Sequence, residues 1–305
     1  MNNKSIITII GGGHGMSNLL KGLRKFKNLR IITAVTDSGG STGVLRTTFN
    51  CPAMGDIRLV LSTLGNDKIK DIFEYRIPKY KDCVGNLIIS SLIKLYSFNE
   101  AIKIIHDLLG IPEEQQIIPS SLDNAQLCGE YDDGFTVNKE SDFTHTGKIT
   151  NLWMNPELRV NPEAIKSIKE SDYVIISPGS FFTSILASII LPGMAKEINK
   201  KTVIYIANIL QQQGETIGLD LEGHFNWLNK YIKIDYFIVN NGTPTEKIMQ
   251  SEYESYLMPV TLSTAFKDIL GKKNIKCIEG DLIDNNKKET ILHDYNKLYT
   301  IIKNI

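Results

Sequence analysis

The clearest chemical signal in the sequence is a cluster of glycines around one histidine, GGGHG, at positions 11–15. Glycine lets the backbone turn sharply and approach a ligand with no Cβ atom in the way. A helix that follows such a loop presents unpaired N–H groups and a partial positive charge, which suit an anion and most often a phosphate. The alternative is a tight turn without a ligand. The candidate ligand-binding residues here are Gly11, Gly12, Gly13, His14 and Gly15.

This loop matches neither of two common phosphate-binding patterns. In the pattern G-x-G-x-x-G, the sixth residue counted from Gly11 is Met16, and counted from Gly13 it is Asn18. The pattern G-x-x-x-x-G-K-[ST] also fails, because no lysine follows in register. The loop therefore predicts a phosphate ligand but does not name the nucleotide.

A second candidate anion loop, DSGGSTG, occupies residues 37–43. In dinucleotide-binding folds an acidic residue at the end of the second strand takes a ribose hydroxyl. Asp37 could hold a ribose, orient a Mg²⁺ ion or cap the next turn. The other candidate ligand-binding residues of this loop are Ser38, Gly39, Gly40 and Ser41.

Two charged positions follow the second loop. Arg46 is either a phosphate clamp, for which the guanidinium fork is well shaped, or an ordinary surface arginine. Asp56 and Arg58 open an apolar helical pattern, MGDIRLVLSTL. Asp56 is a candidate ligand-binding or catalytic residue; the alternative is a helix N-cap aspartate beside an exposed arginine.

Later segments add polar candidates of two kinds. The segment SPGS follows an apolar run and predicts another anion site at the start of a helix. The segment QQGET at 212–216 is polar enough to hydrogen-bond a base or a sugar. The candidate ligand-binding residues in these two segments are Pro178, Gly179, Ser180, Gln212 and Glu215.

The remaining residue types point to no familiar catalytic centre. His106 lies in a helical pattern, and His145, His224 and His293 have no metal-ligand spacing. The sequence contains no G-x-S-x-G motif and no Cys/His nucleophile signature. Any metal is expected to be Mg²⁺ held at Asp37, and weakly unless phosphates supply further ligands.

Five short apolar segments must position these loops. Each runs without polar alternation, as in a strand buried on both faces, and continues into polar, glycine-bearing residues and a helical pattern. In an open parallel sheet, ligands bind outside the carboxyl ends of the strands. We therefore predict a doubly wound α/β fold with one ligand crevice, and Ser17 or Asn18 as the cap of the first helix. The segments are 6–10, 30–36, 173–177, 202–207 and 236–239.

Two regions interrupt this alternation of strands and helices. Residues 55–110 contain long helical patterns and predict a helical insertion. Residues 116–154 are rich in strand and turn residues and predict a small antiparallel element beside the main sheet. Because no linker-like stretch separates these regions, we predict one domain over residues 1–305.

Composition limits the classes of partner. The chain has 305 residues and a formal net charge of zero, which argues against nucleic acid or an anionic membrane as the main partner but leaves a local basic patch open. No apolar run approaches the roughly 20 residues of a membrane span, and the N-terminus lacks a signal-peptide core. The four cysteines are far apart in the sequence, which indicates reduced thiols and not a zinc site or a set of disulfides. We expect a cytoplasmic protein.

Nearly the whole chain resembles the CofD/YvcK-like family. That family contains the 2-phospho-lactate transferase and the YvcK proteins, or gluconeogenesis factors, which bind UDP-sugars and affect cell shape. The SPGSFFTS segment and the loop after Asp37 are more similar to the YvcK branch. The resemblance implies a Rossmann-like fold, a nucleotide ligand and a homodimer. It rests on GGGHGMSNLLKGL, DSGGSTGVLR, GDIR, GNL, IIPSS, DYVIISPGSFFTSILASIILPGMAKEI, QGET and DYFIVNNG.

The chain departs from this family at three positions. The usual Asp-Asp of the second loop is Asp37-Ser38, and a family histidine is replaced by Asp82 in KDCVGN. Asn86 of that segment remains and is a further candidate ligand-binding residue. An arginine common before His-Asp near the C-terminus is Leu292. These changes fall on residues of metal-binding, acid–base and anion-binding types.

Two hypotheses of different classes follow. In the first, the protein binds a nucleoside diphosphate-sugar such as a UDP-sugar, or a dinucleotide such as NAD, and serves carbon partitioning or cell-wall morphogenesis with little or no turnover. In the second, it is a Mg²⁺-dependent transferase acting on a diphosphate-linked nucleotide, with Asp37 and Asp56 as candidate catalytic residues. The departures from the family favour the first. A third hypothesis, an NAD-dependent oxidoreductase, is weaker, because the sequence does not match the G-x-G-x-x-G dinucleotide fingerprint.

Overall fold

The computed structural model describes residues 1–2, 4–78, 82–243, 258–286 and 290–305. The predicted loop after the strand at 236–239 therefore lies outside the described residues from position 244 onward, and so does the first residue of KDCVGN. The backbone of Ser41 is described but its side chain is not.

The described strands form a seven-stranded sheet and a three-stranded sheet. They are β1 (Ile6–Gly11), β2 (Asn28–Thr33), β3 (Gln115–Pro119), β4 (Gln126–Tyr131), β5 (Thr136–Val137), β6 (Ile149–Asn155), β7 (Tyr173–Ile176), β8 (Thr202–Ile206), β9 (Tyr236–Asn240) and β10 (Lys276–Gly280).

The described helices are interspersed with these strands. They are α1 (Gly13–Leu23), α2 (Gly40–Phe49), α3 (Gly55–Leu64), α4 (Asp67–Glu74), α5 (Val84–Leu95), α6 (Phe98–Leu109), α7 (Pro162–Glu170), α8 (Ala187–Ile189), α9 (Met194–Ile198), α10 (Leu221–Asn229), α11 (Thr264–Lys272) and α12 (Tyr295–Lys303). A 3₁₀ turn spans Glu140–Asp142, and a π-helix over Phe181–Leu186 leads into α8.

The large sheet is parallel and has the order β10-β9-β8-β7-β1-β2-β3. The order of the strands along the chain reverses between β1 and β7, because β1 pairs with β2 on one side and with β7 on the other. This is the topological switch point at which open α/β sheets bind their ligands. The small sheet is antiparallel and has the order β5-β4-β6.

Successive residues of the central strands enter two different cores. Ile175 packs in the same core as Ile7 and Ile9, on one face of the sheet, whereas Val174 and Ile176 pack in the core of the other face. Apolar residues are needed at every position of such a strand, since both faces are covered. The prediction of a doubly wound α/β fold with a helical insertion and a small antiparallel element is confirmed.

Several details differ from the predictions. The first part of the 116–154 region is β3, which joins the large sheet in parallel, and β10 was not predicted at all. The predicted cap of α1 is wrong, because the helix already begins at Gly13. Ser17 and Asn18 lie inside it and are buried, with Ser17 Oγ 2.6 Å from Thr63 Oγ1 and Asn18 Nδ2 donating to the carbonyl of His293.

Apolar residues of the small sheet, such as Leu127 and Leu152, pack in the same core as Val174 of the large sheet. The organisation into one domain stays a prediction. None of the helices in the described part of the chain is long and apolar enough to cross a membrane.

Candidate functional site

The loops that follow β1 and β7 touch at the switch point. A Cβ atom on Gly15 would lie 2.5 Å from the carbonyl oxygen of Pro178, a separation that real side chains do not show. Only glycine lets the two backbones approach so closely. The loops at 11–15 and 178–180 therefore lie at one edge of the sheet, where the sequence predicted a crevice.

Asp56 holds the glycine loop in place from α3. Its Oδ1 accepts the N–H of Gly13 at 2.8 Å, and a Cβ atom on Gly12 would clash with its other carboxylate oxygen. Asp56 lies in the first turn of α3 and makes no capping hydrogen bond there, so the alternative of an N-cap aspartate is wrong. The helical insertion thus supports the predicted phosphate loop directly.

Gly13 has a different environment from its neighbours. Its φ is +64°, and a Cβ atom built on it would meet no protein atom within 4 Å. The first-turn N–H groups of a helix have no partners within the helix. The space beside Gly13 at the start of α1 is therefore open to a ligand anion, next to the Asp56 carboxylate that already accepts the N–H of Gly13.

Asp37 closes the second loop on itself. Its Oδ1 accepts the N–H of Gly39 at 2.8 Å, while a Cβ atom on Gly55 would come within 2.8 Å of its Oδ2. The N–H of Ser38 donates to Glu140 Oε2 at 3.1 Å, and Ser38 Oγ accepts the N–H of Ser141. The 3₁₀ turn next to the small sheet therefore braces this loop.

Three carboxylates influence one another at this edge. Burial, and next the charge of Asp37, raise the pKa of Asp56 to about 7. Burial and the charge of Asp37 also raise the pKa of Glu140. Among the described residues no group of three or more His, Cys, Asp or Glu side chains is placed to hold a metal ion.

The crevice consists of two adjoining cavities that share Gly13 and His14. His14 is exposed and lies at their boundary. The first cavity, of about 280 Å³, is lined by Gly13, His14, Gly15, Pro178, Gly179, Ser180, Asn208, Ile209, Leu210, Gln212, Ile291, Leu292 and His293. The second, of about 360 Å³, is lined by Gly13, His14, Asp37, Gly39, Gly40, Thr42, Gly55, Asp56, Arg58, Leu59, Arg76 and Asn86.

A cavity of about 490 Å³ lies elsewhere, between α6, β3 and α7. Its lining mixes side chains of both charges with apolar ones, including Lys103, Glu163 and Ile102, and it receives none of the glycine loops. The crevice at the switch point is therefore the candidate functional site, despite its smaller cavities.

Glu215 is turned away from the crevice. Its Oε2 accepts the N–H groups of Phe182 at 3.0 Å and Thr183 at 3.2 Å, and its Oε1 accepts Thr183 Oγ1 at 3.0 Å and Gln212 Nε2 at 2.8 Å. The predicted ligand contact of Glu215 does not fit this arrangement, since the carboxylate caps the π-helix. Gln212 lines the crevice and also donates to Ser180 Oγ.

Arg46 is neither a phosphate clamp nor a surface residue. It is 3% exposed, and burial lowers its pKa. Its five N–H groups donate within the protein, so none is left for a phosphate. The acceptors are the carbonyl oxygens of Thr36, Asp37 and Ala125 and the side-chain oxygen of Asn124, which takes two of the bonds.

Arg58 is buried as well, which makes the exposed-arginine alternative wrong. It is 4% exposed, its Nε donates to Asn86 Oδ1 at 3.0 Å, and it forms an ion pair with Glu74. Arg58 and Asn86 both line the second cavity. The predicted candidate Asn86 is thus oriented by a neighbouring arginine.

Asn208 and Glu140 belong to the site but were not predicted. The side-chain amide of Asn208 bridges Gly179, since its Oδ1 accepts the N–H at 2.9 Å and its Nδ2 donates to the carbonyl at 2.8 Å. The position of Asn208, directly after an apolar strand, was a usable signal. Glu140 gave none, because it reaches Ser38 from a turn 102 positions away.

Comparison with known proteins places the chain among relatives. The family model described as 2-phospho-L-lactate transferase CofD matches residues 7–283. This chain belongs to the CofD family. One relative is the gluconeogenesis factor of Bacillus subtilis, which is 31% identical to this chain over an alignment 317 positions long. The alignment covers 99% of this chain and 98% of that protein. The gluconeogenesis factor of Listeria monocytogenes is 34% identical over 264 residues, which cover 82% of this chain and 81% of that protein.

A solved structure shares the fold. The crystal structure of a UPF0052-family protein from Bacillus halodurans superimposes with a TM-score of 0.90 at 26% sequence identity. The alignment covers 98% of this chain and 99% of that one. The likeness in fold therefore extends over 98% of this chain.

Proposed function

We propose that the crevice binds a nucleoside diphosphate-sugar, such as a UDP-sugar, with little or no turnover. The observation that carries this proposal is the pair of adjoining cavities that share Gly13 and His14 at the switch point. The diphosphate lies at their boundary, against the N-terminus of α1. The base with its ribose, and the sugar, occupy the two sides.

Cavity size supports a ligand with two bulky ends. The cavities measure about 280 and 360 Å³. Each is near the lower limit of about 300 Å³ for small-molecule sites, so neither alone suits a whole nucleotide-sugar, whereas the pair does. Loop backbone, rather than lysine side chains, would contact the diphosphate, since no lysine lines either cavity among the described residues.

The family relationship supports a cellular role of the same kind. The Bacillus subtilis and Listeria monocytogenes relatives are named gluconeogenesis factors. The resemblance to the branch that binds UDP-sugars and affects cell shape leads us to propose a role in carbon partitioning and cell-wall morphogenesis for this chain, as a homodimer in the cytoplasm.

Loss of family residues supports binding without turnover. Transfer from a diphosphate needs a metal ion or an acid–base group placed against the leaving group. The second acidic residue of the Asp37 loop is Ser38 here, and the family histidine is Asp82.

One observation favours a Mg²⁺-dependent transferase as the second candidate. Asp37 and Asp56 act on each other electrostatically at the crevice, and the pKa of Asp56 is raised to about 7, near the value suited to proton transfer at neutral pH. Mg²⁺ commonly uses one or two carboxylates together with substrate phosphates. Asp37, with or without Asp56, would hold the ion once a nucleotide supplies its phosphate oxygens.

A thermal-shift experiment with two matched variants tests the binding proposal. UDP-glucose or UDP-N-acetylglucosamine should raise the melting temperature, because a ligand of the native state stabilises it. Gly13→Val should abolish this shift by placing a branched side chain where the phosphate lies. His14→Ala should weaken it less.

Gly134→Val is the control, since Gly134 also has a positive φ, +85°, and open space around its Cα, but lies on the small-sheet hairpin. Both valines strain the backbone, and only the first should remove the ligand shift. If NAD binds while both UDP-sugars fail at millimolar concentration, the proposed ligand is wrong.

Mass spectrometry of the ligand after incubation with Mg²⁺ separates the two candidate functions. The binding proposal expects the UDP-sugar to be recovered unchanged. Consumption at about 1 s⁻¹ or faster, the rate of ordinary enzymes, would replace it with the transferase.

A further inference from the structure

Lysines gather at the edge of the sheet opposite the crevice, where the strands begin. We call this set of residues the lysine edge. All are exposed except Lys201, which is partly buried. The lysine edge consists of Lys4, Lys169, Lys200, Lys201, Lys230, Lys233, Lys272, Lys273, Lys276 and Lys303.

Hydrogen bonds between neighbouring turns join the outer half of this edge. The N–H of Lys276 donates to the carbonyl of Asp235, and the N–H of Lys233 donates to Asn199 Oδ1 at 2.7 Å. Lys201 Nζ reaches the carbonyl of Lys169. The turns before β10, β9, β8 and β7 are therefore contiguous.

Similar contacts continue the edge to the chain ends. The N–H of Ile6 donates to Asp172 Oδ2 at 2.9 Å, which places Lys4 beside the turn that contains Lys169. The terminal amine of Met1 donates to the carbonyl of Lys303 at 2.7 Å. Beyond β1 the pattern ends, since Lys27 forms an ion pair with Glu114.

The lysine edge carries a large excess of positive charge. Its ten lysines are accompanied by four acidic residues, Glu170, Asp172, Glu197 and Asp235, which leaves an excess of six. Two of these acids accept backbone N–H groups, from Ile6 and Val203, and a third, Glu197, forms an ion pair with Lys200. Because the chain's formal net charge is zero, the rest of the molecule is correspondingly negative.

Helix dipoles explain only part of this distribution. Cations near helix C-termini are stabilising, which accounts for lysines such as Lys169, Lys272 and Lys303. Lys4, Lys233 and Lys276 instead come before or at the start of strands, where no helix dipole favours them. An exposed cluster of one sign attracts anionic surfaces from solution.

We propose that the lysine edge binds an anionic lipid surface reversibly, while the crevice at the other end of the strands stays open to water. A polybasic cluster near such a surface gains about fivefold in binding per lysine. The edge contains lysines and no arginine, whose planar guanidinium group forms paired hydrogen bonds with phosphates and bases. Lys230 lies 3.4 Å from the ring centre of Trp227, and Lys276 lies 5.1 Å from that of Tyr236. These lysines cover the ring faces on which the bases of a nucleic acid would otherwise stack.

Vesicle sedimentation tests this proposal. The protein should sediment with phosphatidylcholine vesicles that contain roughly one third phosphatidylglycerol at low salt, and not with pure phosphatidylcholine vesicles. Raising the salt from about 0.05 to about 0.3 M should release the unmodified protein, because screening shortens the range of the attraction. Binding that is absent at low salt, or that persists at high salt, would overturn the proposal without any variant.

A triple variant assigns the binding to the lysine edge. Lys4→Gln, Lys169→Gln and Lys233→Gln together should weaken binding by about 100-fold. Lys68→Gln, Lys94→Gln and Lys103→Gln together are the control, since they remove the same charge from exposed positions on α4, α5 and α6.

Equal losses in both triple variants would refute a specific face. Tighter binding to an RNA oligonucleotide than to the anionic vesicles would show that nucleic acid is the partner instead. All six lysines are exposed, and each variant removes one lysine from the last turn of a helix, Lys169 or Lys94, so the two variants should have similar melting temperatures.

Discussion

Asp56 joins the helical insertion to the glycine loop through a carboxylate that is costly to ionise. Burial, with a contribution from Asp37, raises its pKa to about 7, above the 3.8 of an unperturbed aspartate. Between these two values the native state binds a proton that the unfolded state has lost. This group therefore makes the protein less stable as the pH rises from about 4 to about 7.

The variant Asp56→Asn should flatten the dependence of stability on pH. The asparagine keeps an oxygen for the N–H of Gly13 but cannot ionise. We expect the difference in unfolding free energy between pH 5 and pH 8 to shrink by about 2.7 kcal/mol, since each of the two pH units between 5 and 7 contributes about 1.36 kcal/mol.

Urea denaturation at the two pH values measures this difference. Burial raises the pKa of Glu215 to about 7 as well, so part of the dependence remains in the variant. An unchanged pH dependence would show that Asp56 titrates normally.

Replacement of Glu215 should separate capping from ligand contact. Glu215→Ala leaves the N–H groups of Phe182 and Thr183 without their acceptor, and we expect a loss of about 3 kcal/mol in the free energy of unfolding. Glu215→Gln keeps one side-chain oxygen and should lose about 1 kcal/mol. Denaturation curves measure both. Full stability of the alanine variant, with ligand binding lost, would restore Glu215 as a ligand residue.

The sequence identified about half of the residues that line the crevice, but not the orientation of every side chain. Gly13, His14, Asp37 and Pro178 lie where a strand ends, which apolar runs reveal. Arg46 has a residue type that suits an anion, yet Asn124 and Ala125, which lie 78 and 79 positions away, accept three of its five N–H groups. One sequence does not show such distant contacts.

At the level of elements, two glycines should respond oppositely to the same substitution. Gly15→Ala places a Cβ atom 2.5 Å from the backbone of Pro178 and should force apart the loops after β1 and β7. We expect a loss of about 2 kcal/mol and weaker nucleotide binding. Melting curves with and without UDP-sugar measure both effects.

Gly271→Ala is the matched control on α11. A Cβ atom there meets nothing within 4 Å and lies in an exposed helical position, so alanine should stabilise by about 0.5–1 kcal/mol. A neutral Gly15→Ala would show that the two loops can move apart without cost.

Element prediction succeeded where a strand is buried on both faces. The apolar runs of β1, β7 and β8 were evident, because neither face of these strands meets water. The edge strand β10 was missed, since its residues Lys276–Gly280 are exposed or only partly buried and carry two charges. The spacing of apolar residues along this segment therefore did not indicate a strand.

At the scale of the molecule, a nucleotide at the switch point should slow hydrogen exchange on both sides of it. We expect protection by UDP-sugar at 13–15 and 38–40 after β1 and β2, and at 178–180 and 208–212 after β7 and β8. The edge strands β3 and β10 should exchange as before, because they lie away from the crevice. Mass spectrometry of the exchanged peptides measures this. Protection confined to one half would exclude a ligand that spans both cavities.

The pairing of β1 with β7 also determines when, during synthesis of the chain, the large sheet can be completed around β1. Ile6 and Asp172 are hydrogen bonded across 166 positions, so one edge of β1 has no partner until that much chain has been made. At about 5–20 residues per second, this takes on the order of ten seconds. During that interval the nascent chain has a free strand edge and lacks most of the residues that line the first cavity, so a ligand that spans both cavities cannot stabilise it. Ribosome-bound chains that end near residue 160 should therefore be cleaved by protease with or without UDP-sugar, whereas full-length chains gain protection.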